Sequence, residues 1–288
     1  MFLFTKRGLL LAGLLSLAVA GRAQSRKALD KIQTDILQDG LALYQMERAS
    51  WVGTDLLMAD KPDMSQLKGY VSYIMGDSVR CVFFRAGSSE QAPPLVQYSY
   101  TFPRNRVNAA AVRTTTTPRP VNAVEQRKWE QRLAVKDELA TNQALGSPYR
   151  LPAKTALNIV LLDKSKTTYA YLLTGPQTSG LVPIGNDFLL TLDSKTNKVK
   201  LAERLHNSYL PLGADTIKHI TSIAHTHLPA HPYITPSDIC STLLYHDQVP
   251  AQQHYVMGKG FISLLDMNQA EPRLIIFTKE AWDRMNSH

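Results

Sequence analysis

His225-Thr226-His227-Leu228-Pro229-Ala230-His231-Pro232-Tyr233-Ile234-Thr235-Pro236-Ser237-Asp238 is the stretch on which the reading of this chain turns, and seven of its eight histidines fall between His206 and His254. Read as a strand over 219–227, the period of two sets His219, Thr221, Ile223, His225 and His227 on one face and Ile220, Ser222, Ala224 and Thr226 on the other. His225 and His227 then project side by side. Pro229 and Pro232 end the ladder. Thr235 as N-cap, Pro236 at the first helical position and Asp238 at the third begin a helix over Pro236 to Tyr245. Backbone donors and the helix dipole explain an Asp at that place without any metal. A loop that returns Asp238 to the two imidazoles explains it differently, as the third ligand of a metal ion.

Two His nitrogens and one carboxylate are the donor types of a catalytic zinc site, which keeps its fourth position for a water. From His225 to Asp238 the segment resembles the His-x-His-x7-Ser-x-x-Asp metal motif of the JAMM (MPN/JAB) metallopeptidase family, with Thr235 where that family has Ser. The resemblance implies zinc ligation by His225, His227 and Asp238, and a hydroxyl at Thr235 that steadies a tetrahedral intermediate. It implies a mixed α/β (α+β) fold, a cytidine-deaminase-like or JAMM-like sheet with flanking helices, over roughly residues 123–270. Family members draw their general base from an upstream Glu, yet no Glu occurs from Leu139 to Ala202 and Lys154 and Thr155 stand near the expected place. Glu203, on the strand expected just before the one that carries His225, is the candidate base. His206 and His219 read as surface or core-edge residues, with orienting partners or further ligands as the alternative. His231, His246 and His254 read the same way, and Cys240 as a buried apolar thiol turned away from Asp238.

Outward from this segment, the pattern is β-rich from Leu157: Asn158–Leu162, Thr167–Leu173, Asp187–Leu192, Lys198–Leu205 and Ile220–His227, with Ser194 to Asn197 as a hairpin connection. Strands near Tyr255, at Phe261–Leu265 and at Arg273–Phe277 follow the helix. Upstream, Lys27 to Met46 has helical spacing, and Gly69–Met75 and Ser78–Phe84 flank a tight Gly76-Asp77 turn. Leu95–Phe102 adds a third strand. Thr114 to Pro120 reads as an extended connector before a charged helix over Val121–Ala144. The organisation expected is a leader at 1–23, a smaller α+β region at 24–120 and a JAMM-like domain at 121–288.

The leader rests on Lys6 and Arg7 ahead of an apolar run from Gly8 to Ala20 and on small residues Gly21 and Ala23. That run falls short of the ~20 residues that span a bilayer. The expectation is therefore a secreted or periplasmic protein with no transmembrane anchor after cleavage. Losing Lys6, Arg7 and Arg22 takes the formal charge from +8 to +5, with no run of basic residues, which argues against nucleic acid as a partner. Two cysteines, Cys81 and Cys240, permit at most one bridge. No Gly-x-Ser-x-Gly elbow supports a serine hydrolase. Together these readings describe an exported zinc-binding protein, acting as a metal-dependent hydrolase on amide bonds of an envelope or extracellular peptide or polymer. The alternative is a noncatalytic binding or structural module that kept the fold without the base. A third reading is an exported partner-binding protein with no metal and an unrelated sheet.

Overall fold

In the computed structural model the residues described are 6–87, 92–213 and 220–287, with side chains from residue 26 onward and without that of Gly213. The side chains of the leader at 1–23, and His219, lie outside that description. The fold is mixed α+β, as the alternation of periodicities implies. Helix α1 (Lys6–Ala59) runs well beyond the expected Met46. Two of its glycines face close neighbours: Gly40 lies where a Cβ would come within 2.6 Å of the Ile239 side chain, and Gly53, in the extension, faces Cys81 and Tyr100. They let the helix press closely onto its neighbours.

Strands β1 (Leu67–Met75), β2 (Ser78–Arg85) and β3 (Leu95–Pro103) form an antiparallel sheet whose first turn places Gly76 at φ 58°, as the Gly-Asp pair foretold. The Thr- and Pro-rich connector is pinned to this sheet. β4 (Arg113–Thr115) and β5 (Arg119–Pro120) both pair with β3. Helix α2 (Ala123–Thr141) starts from a capping box between Asn122 and Glu125, and Arg119 and Tyr73 also hold the Glu125 carboxylate. It ends at Asn142 in the left-handed conformation.

β6 (Thr155–Asp163), β7 (Thr167–Pro176), β9 (Phe188–Asp193) and β10 (Val199–Arg204) build a second antiparallel sheet in the order β10-β9-β7-β6. Between and beyond them, β8 (Leu181–Gly185) and β11 (Tyr209–Gly213) pair with each other. The last sheet has the order β12-β13-β14-β15, from β12 (Ser222–Thr226), β13 (Gln253–Gly258), β14 (Phe261–Asp266) and β15 (Arg273–Thr278). β12 is parallel to β13 because the chain between them crosses over through helix α3 (Pro236–Leu244). A short helix α4 (Lys279–Met285) closes the described chain.

Residues from both sides of position 120 share one core: Leu43, Met46, Phe83 and Tyr100 pack with Val160, Tyr171, Leu205 and Cys240. Cys81 and Cys240 are both buried free thiols in it. No helix among the described residues is long and apolar enough to cross a membrane.

Candidate metal centre

β12 delivers its side chains as the two-residue period requires: Ile223 is buried and His225 half-buried, while Ser222, Ala224 and Thr226 face solvent. Past the strand, the His227 N–H still donates to the Met257 carbonyl, so the second imidazole keeps the register of the first. The loop from Pro229 to Tyr233 then folds over the end of β13. Only a glycine fits beneath it, because a Cβ on Gly258 would lie 1.9 Å from the Pro232 carbonyl oxygen. This close approach carries the chain back to Thr235 and starts α3 beside β12.

The Thr235–Asp238 capping box forms in full. The Thr235 N–H and Oγ1–H donate to Asp238 Oδ2 at 2.8 and 2.6 Å, and the Asp238 N–H donates to Thr235 Oγ1. The hydroxyl expected to serve an intermediate is thus committed to the carboxylate and is buried.

Around that carboxylate stand three imidazoles. Asp238 Oδ1 lies 3.0 Å from His206 Nε2 and 3.4 Å from His225 Nε2; Oδ2 lies 3.2 Å from His227 Nε2; and the Nε2 atoms of His206 and His227 are 3.1 Å apart. His206, His225, His227 and Asp238 offer one donor each, all within 4.8 Å of one another, and this group could hold a metal ion. His206 corrects the surface or core-edge reading: it is buried because the Leu205 N–H bonds to the Asp187 carbonyl, which turns the chain inward after β10. Glu203 is not brought to the cluster. It lies half-buried on β10 opposite Leu189, and the carboxylate nearest the imidazoles besides Asp238 is Asp187.

His227 and His225 are oriented through their other nitrogen, as metal-bound histidines generally are, whereas His206 Nδ1 is buried without a hydrogen-bond partner. His227 Nδ1 reaches the Tyr233 carbonyl at 2.7 Å, so Nδ1 carries the hydrogen. For His225 the assignment follows a chain of three bonds. Thr242 Oγ1 donates to the Asp238 carbonyl and therefore accepts from His254 Nδ1 at 2.7 Å. His254 Nε2 is then the acceptor for His225 Nδ1–H at 3.0 Å. Full burial supports a neutral ring, pulling the His254 pKa down to about 3. His206 Nδ1 faces the buried Asp187 carboxylate at 3.8 Å. Burial raises the Asp187 pKa to about 6, against the opposing charge of His206 and the Thr174 N–H that it accepts.

These assignments leave bare lone pairs on His225 Nε2 and His227 Nε2, aimed at carboxylate oxygens 3.4 and 3.2 Å away. Acceptors facing acceptors at that range repel unless a cation lies among them. The His225 Nε2 atom is buried with no hydrogen-bond partner, which fits the same conclusion. Bonds of about 2.0–2.1 Å in a tetrahedron separate donors by ~3.3–3.4 Å; the four short separations, which use both Asp238 oxygens, lie at or slightly below that value, while the four donors taken one per residue spread to 4.8 Å. From protein charges alone, burial lowers the His206 pKa, but the Asp238 charge and hydrogen bond outweigh it and raise it to about 9. Burial likewise works to raise the Asp238 pKa, and the His206 charge and hydrogen bond override it and hold the carboxylate well below its ordinary range.

Access is narrow. Side-chain exposure is 0% for His227, 1% for Asp238, 5% for His206 and 18% for His225, so one ring edge alone approaches solvent. A cavity of about 10 Å³ touches the cluster, lined by Asp187, Asp238, Thr242 and His254 with Val182 and Ile223. That is room for about one water.

No protein-family model matches the chain. No curated protein matches it either. Among solved structures, the Bacillus megaterium YpeB C-terminal domain is similar at 11% identity and a TM-score of 0.16, over 55% of this chain. The chain spans 64% of that domain's length, and a score of this size carries no argument about fold or activity.

Proposed function

We propose that this chain is an exported, zinc-binding module related to the JAMM family, in which the metal serves structure and binding and not hydrolysis. The observation that carries this reading is His206. With it the donor set is three imidazoles and one carboxylate, a closed four-coordinate set of the structural kind, where a hydrolytic site leaves one position to water. Imidazole and carboxylate in tetrahedral array favour zinc over calcium or magnesium, which take six or more oxygens. The metal would tie the turn after β10 to β12 and to the start of α3, three segments that share few other polar contacts. The absence of Glu from 139–202 and the placement of Glu203 outside the cluster support a noncatalytic role. Export rests on the charged and apolar leader, and envelope material is the expected surrounding.

The motif spacing of His225, His227, Thr235 and Asp238 favours a second reading, a zinc-dependent hydrolase of amide bonds in an envelope or extracellular peptide or polymer. One set of measurements separates the two. Elemental analysis of the purified protein is expected to give one zinc per chain, lost in the His225→Ala/His227→Ala double variant, with chelation lowering the melting temperature. A peptide library is expected to stay uncut. Negligible metal in both proteins rejects zinc binding outright. Cleavage that chelation abolishes and zinc restores rejects the noncatalytic reading in favour of the hydrolase.

A further inference from the structure

Behind His225 the buried side chains of His254 and Thr242 complete a ring of contacts that starts and ends on Asp238. The parallel register sets His254 opposite Ile223 and Val256 opposite His225, so His254 stands diagonally across from His225 on the same inner face of β12 and β13. Their ring centroids are 5.0 Å apart. From the Asp238 carbonyl the contacts run to Thr242 Oγ1 at 2.7 Å, from that hydroxyl to His254 Nδ1 at 2.7 Å, and from His254 Nε2 to His225 Nδ1 at 3.0 Å. The ring closes where His225 Nε2 lies 3.4 Å from Asp238 Oδ1.

A hydroxyl and a neutral imidazole each donate on one side and accept on the other, so three hydrogens fit this ring in two senses. In the first, Thr242 donates to the Asp238 carbonyl, His254 Nδ1–H to Thr242 and His225 Nδ1–H to His254, and a bare His225 Nε2 faces Asp238. In the second, Thr242 donates to His254 Nδ1, His254 Nε2–H to His225 Nδ1, and His225 Nε2–H to Asp238 Oδ1. Each sense makes three hydrogen bonds. What separates them is the last contact. With no cation present, the first sets a lone pair against a carboxylate oxygen and the second supplies a donor there. With a cation among the ligands the preference inverts, because a ring nitrogen that carries hydrogen has no lone pair to give.

The change of sense conserves hydrogen. One proton arrives at His225 Nε2, on the ring edge that reaches solvent; the His225 Nδ1 hydrogen passes to His254 Nε2; and one proton leaves His254 Nδ1. The cavity of about 10 Å³ lined by Thr242 and His254 has room for the water that carries the last. His254 is 1% exposed, so bulk water replaces neither of its partners, and the two imidazoles change together.

We propose that Thr242 and His254 are positioning residues of the metal centre, a relay that presents the His225 Nε2 lone pair when the site is loaded and reverses to place a hydrogen there when it is empty. The inference rests on the zinc reading, which supplies the trigger.

The test records two-bond ¹H–¹⁵N correlation spectra of the full purified chain, labelled with ¹⁵N at histidine, because these distinguish Nδ1–H from Nε2–H rings. Zinc affinity is measured beside them by chelator competition. His225 and His254 are expected as Nε2–H tautomers in the metal-free protein and as Nδ1–H tautomers with one zinc per chain. Thr242→Val, which removes the acceptor for His254 Nδ1–H, is expected to weaken zinc binding by about 10–100-fold, and Thr242→Ser to restore both affinity and reversal. Circular dichroism checks that each variant is folded, and if Thr242→Val is not, the wild-type spectra and Thr242→Ser decide. Failure of the wild-type chain to take up zinc overturns the zinc reading and the relay together. Zinc uptake with the His225 and His254 tautomers unchanged overturns the relay alone, as does wild-type affinity in folded Thr242→Val.

Discussion

Replacing His206 with Ala removes one of four donors and two of the four short donor separations, 3.0 Å to Asp238 and 3.1 Å to His227. Structural zinc in small domains binds with about 10–16 kcal/mol. An even share assigns about 3–4 kcal/mol to each ligand, which is a loss of roughly 10²–10³ in affinity. The same figure governs stability. At free zinc near a thousand times the wild-type dissociation constant, binding stabilises the fold by about 4 kcal/mol, and a loss of that affinity leaves about 0.4–1.4 kcal/mol. With about 2–4 °C per kcal/mol for a chain of this size, the zinc-induced rise in melting temperature shrinks by ~5–14 °C. Calorimetry at buffered free zinc, with each protein compared to its own chelated form, isolates the metal term from any packing lost with the ring. His231→Ala is the control, because that residue meets His227 through its backbone carbonyl alone, which the substitution keeps. A His206→Ala protein with wild-type zinc affinity and an undiminished thermal shift would refute the four-ligand site and return the centre to three ligands.

Asp187→Asn keeps the shape but weakens the charge that faces His206 Nδ1, and zinc affinity is expected to fall by about 10–100-fold in a competition titration. Gly258→Ala forces a Cβ into the Pro232 carbonyl 1.9 Å away, so the loop between His227 and Thr235 must shift. The expected cost is about 1–3 kcal/mol in chemical denaturation, with weaker zinc binding in the same protein, and a neutral result would mean the loop is not held by that contact. Glu47, wholly buried on α1 with bonds from Asn158 and Trp51, has its pKa raised from 4.5 to about 7 by burial. The folded state therefore prefers the protonated acid; its contribution is full below about pH 4.5 and is lost as pH rises through about 7. Glu47→Gln is expected to match wild type near pH 4 and to gain stability over it by on the order of 3 kcal/mol above pH 8, measured as the difference between two pH–stability curves. A constant difference across that range would show that Glu47 does not titrate in the fold.

Local signals were legible where they were self-contained. The Gly76-Asp77 turn fixes the register of β1 and β2, the alternation at 222–226 sets His225 on the inner face, and Thr235-Pro236 marks the start of α3. His206 escaped because nothing periodic links it to the motif that begins at His225. Its place depends on the β8–β11 pair, two short strands that each carry a proline, Pro183 and Pro211, and so read as loops. Asp187 escaped for the same reason, since it acts through the end of β8 and the Leu205 N–H, contacts that exist only after three strands have assembled. His254 was hidden by parity: it alternates inward on β13, a strand whose pairing with β12 requires the α3 crossover. The close packing of α1 is a tertiary effect, since Gly40 and Gly53 weaken a helix in isolation and let this one approach its neighbours.

Asp238 shows why a structural explanation and a chemical one need not compete. As a helix cap it needs one oxygen for the Thr235 N–H, and Oδ2 serves that purpose at 2.8 Å. The other oxygen, Oδ1, is left facing His206 and His225. The cap fixes the carboxylate in one orientation through two bonds from Thr235, so no further rotamer entropy is spent when a cation is gathered by the imidazoles. A free aspartate on a loop would have to be ordered at the moment of binding. The sequence Thr-Pro-Ser-Asp therefore does two things with one backbone geometry: it starts α3, and it presents a pre-oriented anion to the end of β12. Removing the cap bond while keeping the charge, as in Thr235→Val, should then weaken zinc binding even though no ligand has been changed. Equal zinc affinity in a folded Thr235→Val protein would show that the two roles are independent.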